Sequence, residues 1–124
     1  MEYKSELHNE EARLATIPLC KKFQNEAFDG IMERVKNGEP YGICNVDEVE
    51  EIFHAFGAPV IPLQYWSSVI SSKRLSVKYF NYMADKGYDQ DPYYSLGLAC
   101  AMSHDPEAPY GGLPKPRVVA HGAG

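Results

Sequence analysis

Short apolar runs that alternate with helical patterns constrain the fold of this chain more than any other feature of its sequence. The three apolar runs are residues 41–46, 58–63 and 117–121. Apolar residues at helical spacing occupy residues 19–35, 49–56, 67–86 and 93–102. Strands that alternate with helices in this way favour an α/β architecture with a mostly parallel sheet. We therefore predict a partial Rossmann-like layer whose short, mostly parallel strands are covered by helices.

Helical spacing also predicts which side chains form the core. The expected core positions of the first three helical patterns are Leu19, Phe23, Ala27, Phe28, Ile31, Met32 and Val35; Val49, Ile52, Phe53 and Phe56; and Val69, Ile70, Val77, Phe80 and Met83. Gly38, Gly57 and Gly87 follow these patterns, at the place where glycine commonly ends a helix. The third pattern is expected to be one continuous helix from Ser67 to Lys86.

Two prolines and the C-terminal residues predict further features of the sheet. Pro59 and Pro62 cannot donate to a ladder, so the second strand is expected at a sheet edge or to bend early. The sequence stops after the third strand and a glycine-rich turn, residues 122–124, which normally leads into a helix that covers the strand. We therefore divide the chain into an N-terminal helical segment, residues 1–37, and an incomplete α/β subdomain, residues 38–124, that we expect to be truncated at its C-terminus.

Composition and charge argue against several classes of protein. The net charge of −5 and the scattered basic residues argue against a general nucleic-acid binder. The longest uncharged stretch, Ala55–Ser72, is interrupted by prolines, and the polar N-terminus shows no signal-peptide pattern, so no membrane partner is expected. Three cysteines without a CxxC pair do not make a disulfide framework. The predicted location is the reducing cytoplasm.

Cys100 is the cysteine of greatest chemical interest, although its local sequence leaves its role open. It lies among Ala and Leu near the end of the fourth helical pattern, where a cysteine is most often an inert core residue. His104 follows four residues later, so the two side chains can face one metal ion on a helix, but two ligands are too few for a site. Cys20 and Cys44 are interpreted as packing residues.

Other positions carry weaker signals. Gly122 and Gly124 follow a strand and form half of a phosphate-binding glycine loop, for which a plain turn is the simpler interpretation. His54 adjoins an apolar helix face, which favours a partly buried, hydrogen-bonded histidine over a catalytic one. A dense aromatic set fills the core or lines a pocket for a flat ligand. Its members are Tyr79, Phe80, Tyr82, Tyr88, Tyr93 and Tyr94.

The segment from Gly42 to Val60 resembles the first strand–helix–strand unit of the 2-hydroxyacyl-CoA dehydratase and benzoyl-CoA reductase family. The sequence Glu50-Glu51-Ile52 matches the usual start of the helix, and residues 55–60 match the Ala-Ala-Gly turn and Pro-Val strand that follow. Val49 replaces the usual proline of that helix start, and Phe56 replaces the usual small residue.

The later part of the chain resembles the same family in the order of its segments. In the family, a cluster-binding cysteine is followed by a linker and a strand, with a second cysteine just past that strand. Cys100, the Leu-Pro-Lys-Pro-Arg sequence of residues 113–117 and the strand after it match this order, and the sequence ends where the second cysteine would follow. The resemblance covers roughly residues 38–124.

The resemblance implies a specific chemistry. Such subunits bind a [4Fe–4S] cluster through cysteines, pair with a related sister subunit and receive one electron from an ATP-dependent iron–sulfur activator protein. The electron makes a ketyl radical anion of a 2-hydroxyacyl-CoA thioester, which then loses water, or it enters the ring of an aromatic acyl-CoA. Cys100 would be a cluster ligand, with further ligands outside this segment, so the isolated 124-residue chain is expected to be inactive.

Two other functions fit the residues. The first is a small non-catalytic α/β binding module that docks a protein partner through an exposed aromatic face, with Cys100 as a core residue. The second is a nucleotide-binding half-domain that uses Gly122 and Gly124. For the acyl-CoA function, Ser67, Ser68 and Ser71 are candidates to approach the substrate, and no motif selects among them.

Overall fold

The computed structural model describes residues 14–45, 49–91 and 93–122, and the part of the predicted N-terminal segment before residue 14 lies outside this description. The main elements are α1 (Ile17–Lys36), β1 (Gly42–Cys44), α2 (Glu50–Ala55), β2 (Val60–Pro62), α3 (Leu63–Ser72), α4 (Ser76–Asp85), α5 (Ser95–Ser103) and β3 (Val118–Ala120). The strands form one parallel sheet in the order β2-β1-β3. Helices flank this sheet, so the predicted α/β layer with short parallel strands is confirmed.

The central strand is the most enclosed part of the sheet. Ile43 of β1 lies opposite Ile61 of β2 and Val119 of β3, and all three residues of β1 are buried. Pro62 ends β2, which pairs with β1 alone in the described sheet. The predicted edge position of this proline-containing strand is therefore confirmed. At the edge, the missing N–H of Pro62 leaves no hydrogen bond to a further strand unmade.

The core is built mainly from α3, α4 and α5, with β1, β2 and one half of α1 packed against it. Its fully buried side chains include Ile61, Trp66, Ile70, Tyr79, Leu96 and Cys100. Helices α3 and α5 approach closely at Gly97, whose backbone N–H donates to the Ser67 hydroxyl at 2.9 Å. A Cβ atom on Gly97 would lie 2.7 Å from the Leu63 carbonyl oxygen, so only glycine permits this approach.

The expected continuous helix from Ser67 to Lys86 is wrong, because the chain turns between α3 and α4. Arg74 adopts a left-handed conformation with a φ of 60°, and its N–H donates to the Ser71 carbonyl instead of continuing the helix. A non-glycine residue in this region costs about 1–2 kcal/mol. The turn lets α4 pack on α5 through Tyr79 and Met83, whereas Val77, predicted to be buried, is 71% exposed.

The buried faces of α1 and α2 also differ from the prediction. Leu19 and Phe23 are 50% and 59% exposed, because α1 packs against the core through its C-terminal half, mainly with the buried Phe28 and Met32. Phe53 of α2 is buried, but Phe56, which directly follows α2, is 84% exposed. Apolar periodicity identified these helices, but it could not predict which part of each apolar face is covered by the rest of the protein.

An ion pair between the half-exposed Lys78 and the mostly buried Asp105 links α4 to the loop after α5. Its contribution to stability can be tested. The Asp105 carboxylate contacts the Lys78 ammonium, accepts the Tyr79 hydroxyl at 2.9 Å and accepts the Glu107 N–H at 3.0 Å. The lysine first, then these two donors, lower the pKa of Asp105 below its ordinary value of 3.8. The stabilisation is therefore present at neutral pH and is lost as the pH falls through the depressed pKa.

We expect D105N to be less stable than the parent at pH 7 and to approach it in stability near pH 2. Urea unfolding at both pH values measures this, because the free energy of unfolding is obtained from the midpoint and slope. The matched control is D85N, which removes an exposed carboxylate at the end of α4. A pH dependence that is the same in D105N and in the parent would contradict the assignment.

Candidate functional site

The carboxyl ends of the three strands meet at Asn45, the residue that follows β1. Its backbone oxygen accepts the Gln64 N–H at 3.3 Å, which ties β1 to the start of α3. Its side-chain oxygen accepts the Gly122 N–H at 2.9 Å, and its side-chain amide donates to the Gly122 carbonyl at 3.4 Å. One residue therefore fixes the relative positions of all three strand ends.

A cavity of about 480 Å³ lies at this edge of the sheet. It is lined by Glu50 from α2, Pro62 from β2, and Gln64, Tyr65 and Ser68 from α3. The volume is in the range of small-molecule sites. Ligands of open α/β sheets bind in the crevice outside the carboxyl ends of the strands. The position of this cavity makes it the candidate ligand-binding site.

The polar groups that line the cavity are neutral, except for the carboxylate of Glu50. The Ser68 hydroxyl donates to the Gln64 carbonyl at 3.2 Å, so its oxygen can still accept a hydrogen bond. The Tyr65 ring is stacked on Phe28, with centroids 5.6 Å apart, and it is half exposed. Glu50 lies 3.0 Å from the His54 ring nitrogen, one helical turn away. Such a wall can hydrogen-bond a carbonyl or hydroxyl group and pack against a flat one.

The structure separates the three candidate serines. Ser68 lines the cavity, whereas Ser67 is buried against Gly97 and Ser71 is hydrogen-bonded to Ser76 at 3.2 Å. Gln64 and Tyr65 were not identified as candidates from the sequence. Their position two and three residues after the end of β2 was the available signal, because the residues that follow a parallel strand lie at its carboxyl end.

Cys100 lies in the core, on α5, and not in the cavity. Its side chain is fully buried in the core cluster that also contains Trp66, Tyr79 and Leu113. Burial raises the pKa of the thiol, and the nearby polar groups of Trp66, Tyr79 and Leu113 oppose that rise without cancelling it. Leu113 precedes Pro114, whose carbonyl accepts the Tyr41 hydroxyl before β1. The residues around Cys100 are therefore connected, through Leu113 and Pro114, to the amino end of β1.

These surroundings fit a cluster ligand in one respect and not in another. Polar hydrogens near a sulfur favour its thiolate form, as at iron–sulfur centres, but at Cys100 burial outweighs them. The same residues enclose the sulfur, so a cluster on Cys100 needs Trp66, Tyr79 or Leu113 to move away from it. Within the described ranges, no three His, Cys, Asp or Glu side chains are grouped as a metal site. Cys44 is buried in β1 and Cys20 is exposed on α1.

The other candidate residues are not brought together. His104 lies beyond the end of α5 in a left-handed conformation, so it does not share a helix face with Cys100. His54 is exposed rather than partly buried, and it pairs with Glu50. The Gly122 N–H is bonded to Asn45, which removes it as a phosphate donor. Gly124 lies outside the described residues.

The aromatic set is divided between core and surface. Tyr79 is buried, and Tyr82 is partly buried and donates to the Met102 carbonyl at 3.2 Å. Tyr88 and Tyr93 are 53% and 59% exposed. The aromatic residue that borders the cavity at the strand ends is Tyr65, which was not part of the set.

An apolar groove runs between α2 and the sheet. Its volume is about 340 Å³, and it is bordered by Val49, Ile52, Phe53 and Phe56 from the region of α2 and by Gly42, Val118 and Ala120 from the sheet. Ile52, Phe56 and Val118 are each more than half exposed. Contiguous exposed apolar surface of this kind marks an interaction site or a face that another segment covers.

Comparison with protein-family models, with curated proteins and with solved structures gives no match to this chain. None of the helices within the described residues has the length and apolar character needed to cross a bilayer.

Proposed function

We propose that this chain is part of a subunit of an iron–sulfur acyl-CoA dehydratase or aromatic acyl-CoA reductase. The observation that carries the proposal is the cavity of about 480 Å³ at the carboxyl ends of a parallel sheet. The segment that resembles this enzyme family, residues 42–60, forms β1, α2 and the start of β2, and it supplies Glu50 to the cavity wall. The acyl group of the substrate would bind in this cavity.

The polar groups of the cavity suit the head of an acyl-CoA. Gln64 carries both donors and an acceptor, and Ser68 carries a hydroxyl, so together they can hold a thioester carbonyl and a neighbouring hydroxyl group. Tyr65 offers a flat face to an unsaturated or aromatic acyl group. Closing such a site against bulk water would protect a radical intermediate of the substrate.

The [4Fe–4S] cluster would supply one electron at very low potential, as thiolate-held clusters can. Its ligands would come from cysteines outside this segment, with Cys100 as the candidate within it. The electron would come from an ATP-dependent iron–sulfur activator protein, and a related sister subunit would cover the exposed apolar groove. A reducing cytoplasm would suit this chemistry, with no nucleic-acid partner.

Benzoyl-CoA binding to the full-length protein tests the assignment of the cavity. We expect S68A and Q64L each to weaken binding about five- to tenfold, because each removes one or two hydrogen bonds to the acyl head. Isothermal titration calorimetry measures the dissociation constant. The matched control is S71A, which removes a hydroxyl from the same helix outside the cavity. Equal affinities in S68A, Q64L and S71A would place the acyl group elsewhere.

A binding module that docks a protein partner is the second candidate function. The exposed Ile52, Phe56 and Val118 around the groove favour it, because they form an apolar surface that a partner would cover. In that case Cys100 would be a core residue and the protein would be stable in air and indifferent to iron. Iron content under anaerobic conditions therefore separates the two functions.

A further inference from the structure

A second cavity, of about 470 Å³, lies between the C-terminal half of α1 and the loop that follows α5. Its apolar wall is formed by Met32, Val35, Leu113 and Pro114, and its polar rim is formed by Lys36 and His104. It borders residues 113 and 114, which are tied to Tyr41 before β1, and it shares no lining residue with the cavity at the strand ends. The two cavities are therefore separate.

The loop wall of this cavity is held in one shape by its backbone and by α1. The Tyr110 hydroxyl donates to the Asn25 side-chain oxygen at 2.6 Å, and its ring packs 4.9 Å from that of Phe28. Gly112 has a φ of +84°, and a Cβ atom there would lie 2.7 Å from the Asp105 carbonyl oxygen. His104 and Tyr110 both adopt left-handed conformations, with φ values of 51° and 56°. These constraints make the cavity preformed.

The chemistry of the lining selects a class of ligand. Apolar side chains form one wall, the rim carries a lysine and a histidine, and no carboxylate is present among the described residues that line the cavity. We infer that this cavity binds a small amphipathic organic anion, whose apolar body contacts Met32, Val35 and Leu113 and whose carboxylate faces Lys36 and His104. The inference is independent of the proposed function, because it uses none of the residues at the strand ends.

Titration of the full chain with 4-phenylbutyrate tests this inference. We expect the backbone amide signals of His104, Gly111 and Gly112 to shift in two-dimensional ¹H–¹⁵N NMR spectra. The neutral analogue 4-phenylbutan-1-ol should bind about fivefold more weakly, because it lacks the charge that Lys36 complements. K36M and H104G should each weaken binding of the anion by about fivefold.

Both variants are chosen to leave the fold intact. Lys36 is exposed, and glycine adopts the left-handed backbone of position 104 more readily than histidine does. K73M is the matched control, since Lys73 is an exposed lysine at the end of α3 and does not line this cavity. The inference is overturned if these amides do not shift at millimolar probe, if the alcohol binds as well as the acid, or if K73M weakens binding as much as K36M.

Discussion

Replacing Trp66 with alanine should lower the free energy of unfolding by about 3–5 kcal/mol, the largest stability effect expected in this chain. The indole is fully buried between α1, α3 and the loop after α5, with its ring 5.0 Å from Phe28 and 6.0 Å from Tyr110. Truncation would leave a cavity in a core that these rings cannot refill without moving α1. Urea unfolding followed by circular dichroism measures the loss, because the probe does not depend on tryptophan fluorescence.

The conservative variant W66F separates packing from polarity. The Trp66 indole nitrogen is buried and makes no hydrogen bond of ordinary geometry within the described part of the chain. Phenylalanine keeps most of the ring volume and removes this N–H, so W66F should cost less than about 1.5 kcal/mol. Y65A, at the half-exposed neighbouring ring, should cost less than W66A. Equal losses in W66A and Y65A would mean that this core is packed differently.

Replacing Cys100 with serine should remove most of the iron from the anaerobically prepared full-length protein. The reason is that a serine hydroxyl is a far poorer ligand for a [4Fe–4S] cluster than a thiolate. C44S is the matched control, because Cys44 is equally buried in the sheet and is not a predicted ligand. Iron, measured per protein for both variants, should fall in C100S and stay near the parent value in C44S.

Fluorescence gives a second readout for the same prediction. Trp66 is the single tryptophan of this chain and lies in the same buried core cluster as Cys100. The Trp66 emission is obtained as the difference between the fluorescence of the parent and that of W66F. Because a cluster held by Cys100 would quench a nearby indole, this emission should be weaker in the iron-loaded protein than in the iron-free protein. Equal iron content in C100S and C44S, with an unquenched Trp66, would show that Cys100 is a core residue.

The sequence was sufficient to predict the class of fold and the positions of the strands. Strand prediction succeeded because the apolar runs are short, bounded by glycine and proline, and separated by helical patterns. The edge position of β2 followed from Pro59 and Pro62, because a proline has no N–H to donate to a further strand.

The faces of the helices could not be predicted to the same extent. Apolar spacing places Phe56 and Phe53 on the same side of α2, but only the extent of the sheet beneath them decides that Phe53 is buried and Phe56 is exposed. The break at Arg74 was missed for a similar reason. No glycine or proline marks it, and the packing of Tyr79 and Met83 against α5 outweighs the local helical preference.

The candidate site shows the same division between local and long-range information. Ser68 was one of three serines that sequence alone could not rank, because the choice depends on which side of α3 faces the strand ends. Gln64 and Asn45 owe their positions to contacts between β1, α3 and the end of β3, which are far apart in sequence. The enclosure of Cys100 by Trp66 and Tyr79 is likewise a tertiary feature that its alanine-rich helix does not reveal.

The most direct test of the proposed function is the iron and acid-labile sulfide content of the full-length protein, isolated without exposure to air. The proposed function predicts about four iron and four sulfide per cluster, with a broad visible absorption that bleaches on exposure to oxygen. Protein that contains neither iron nor sulfide, and that keeps the same thermal stability in air and under anaerobic conditions, would contradict it.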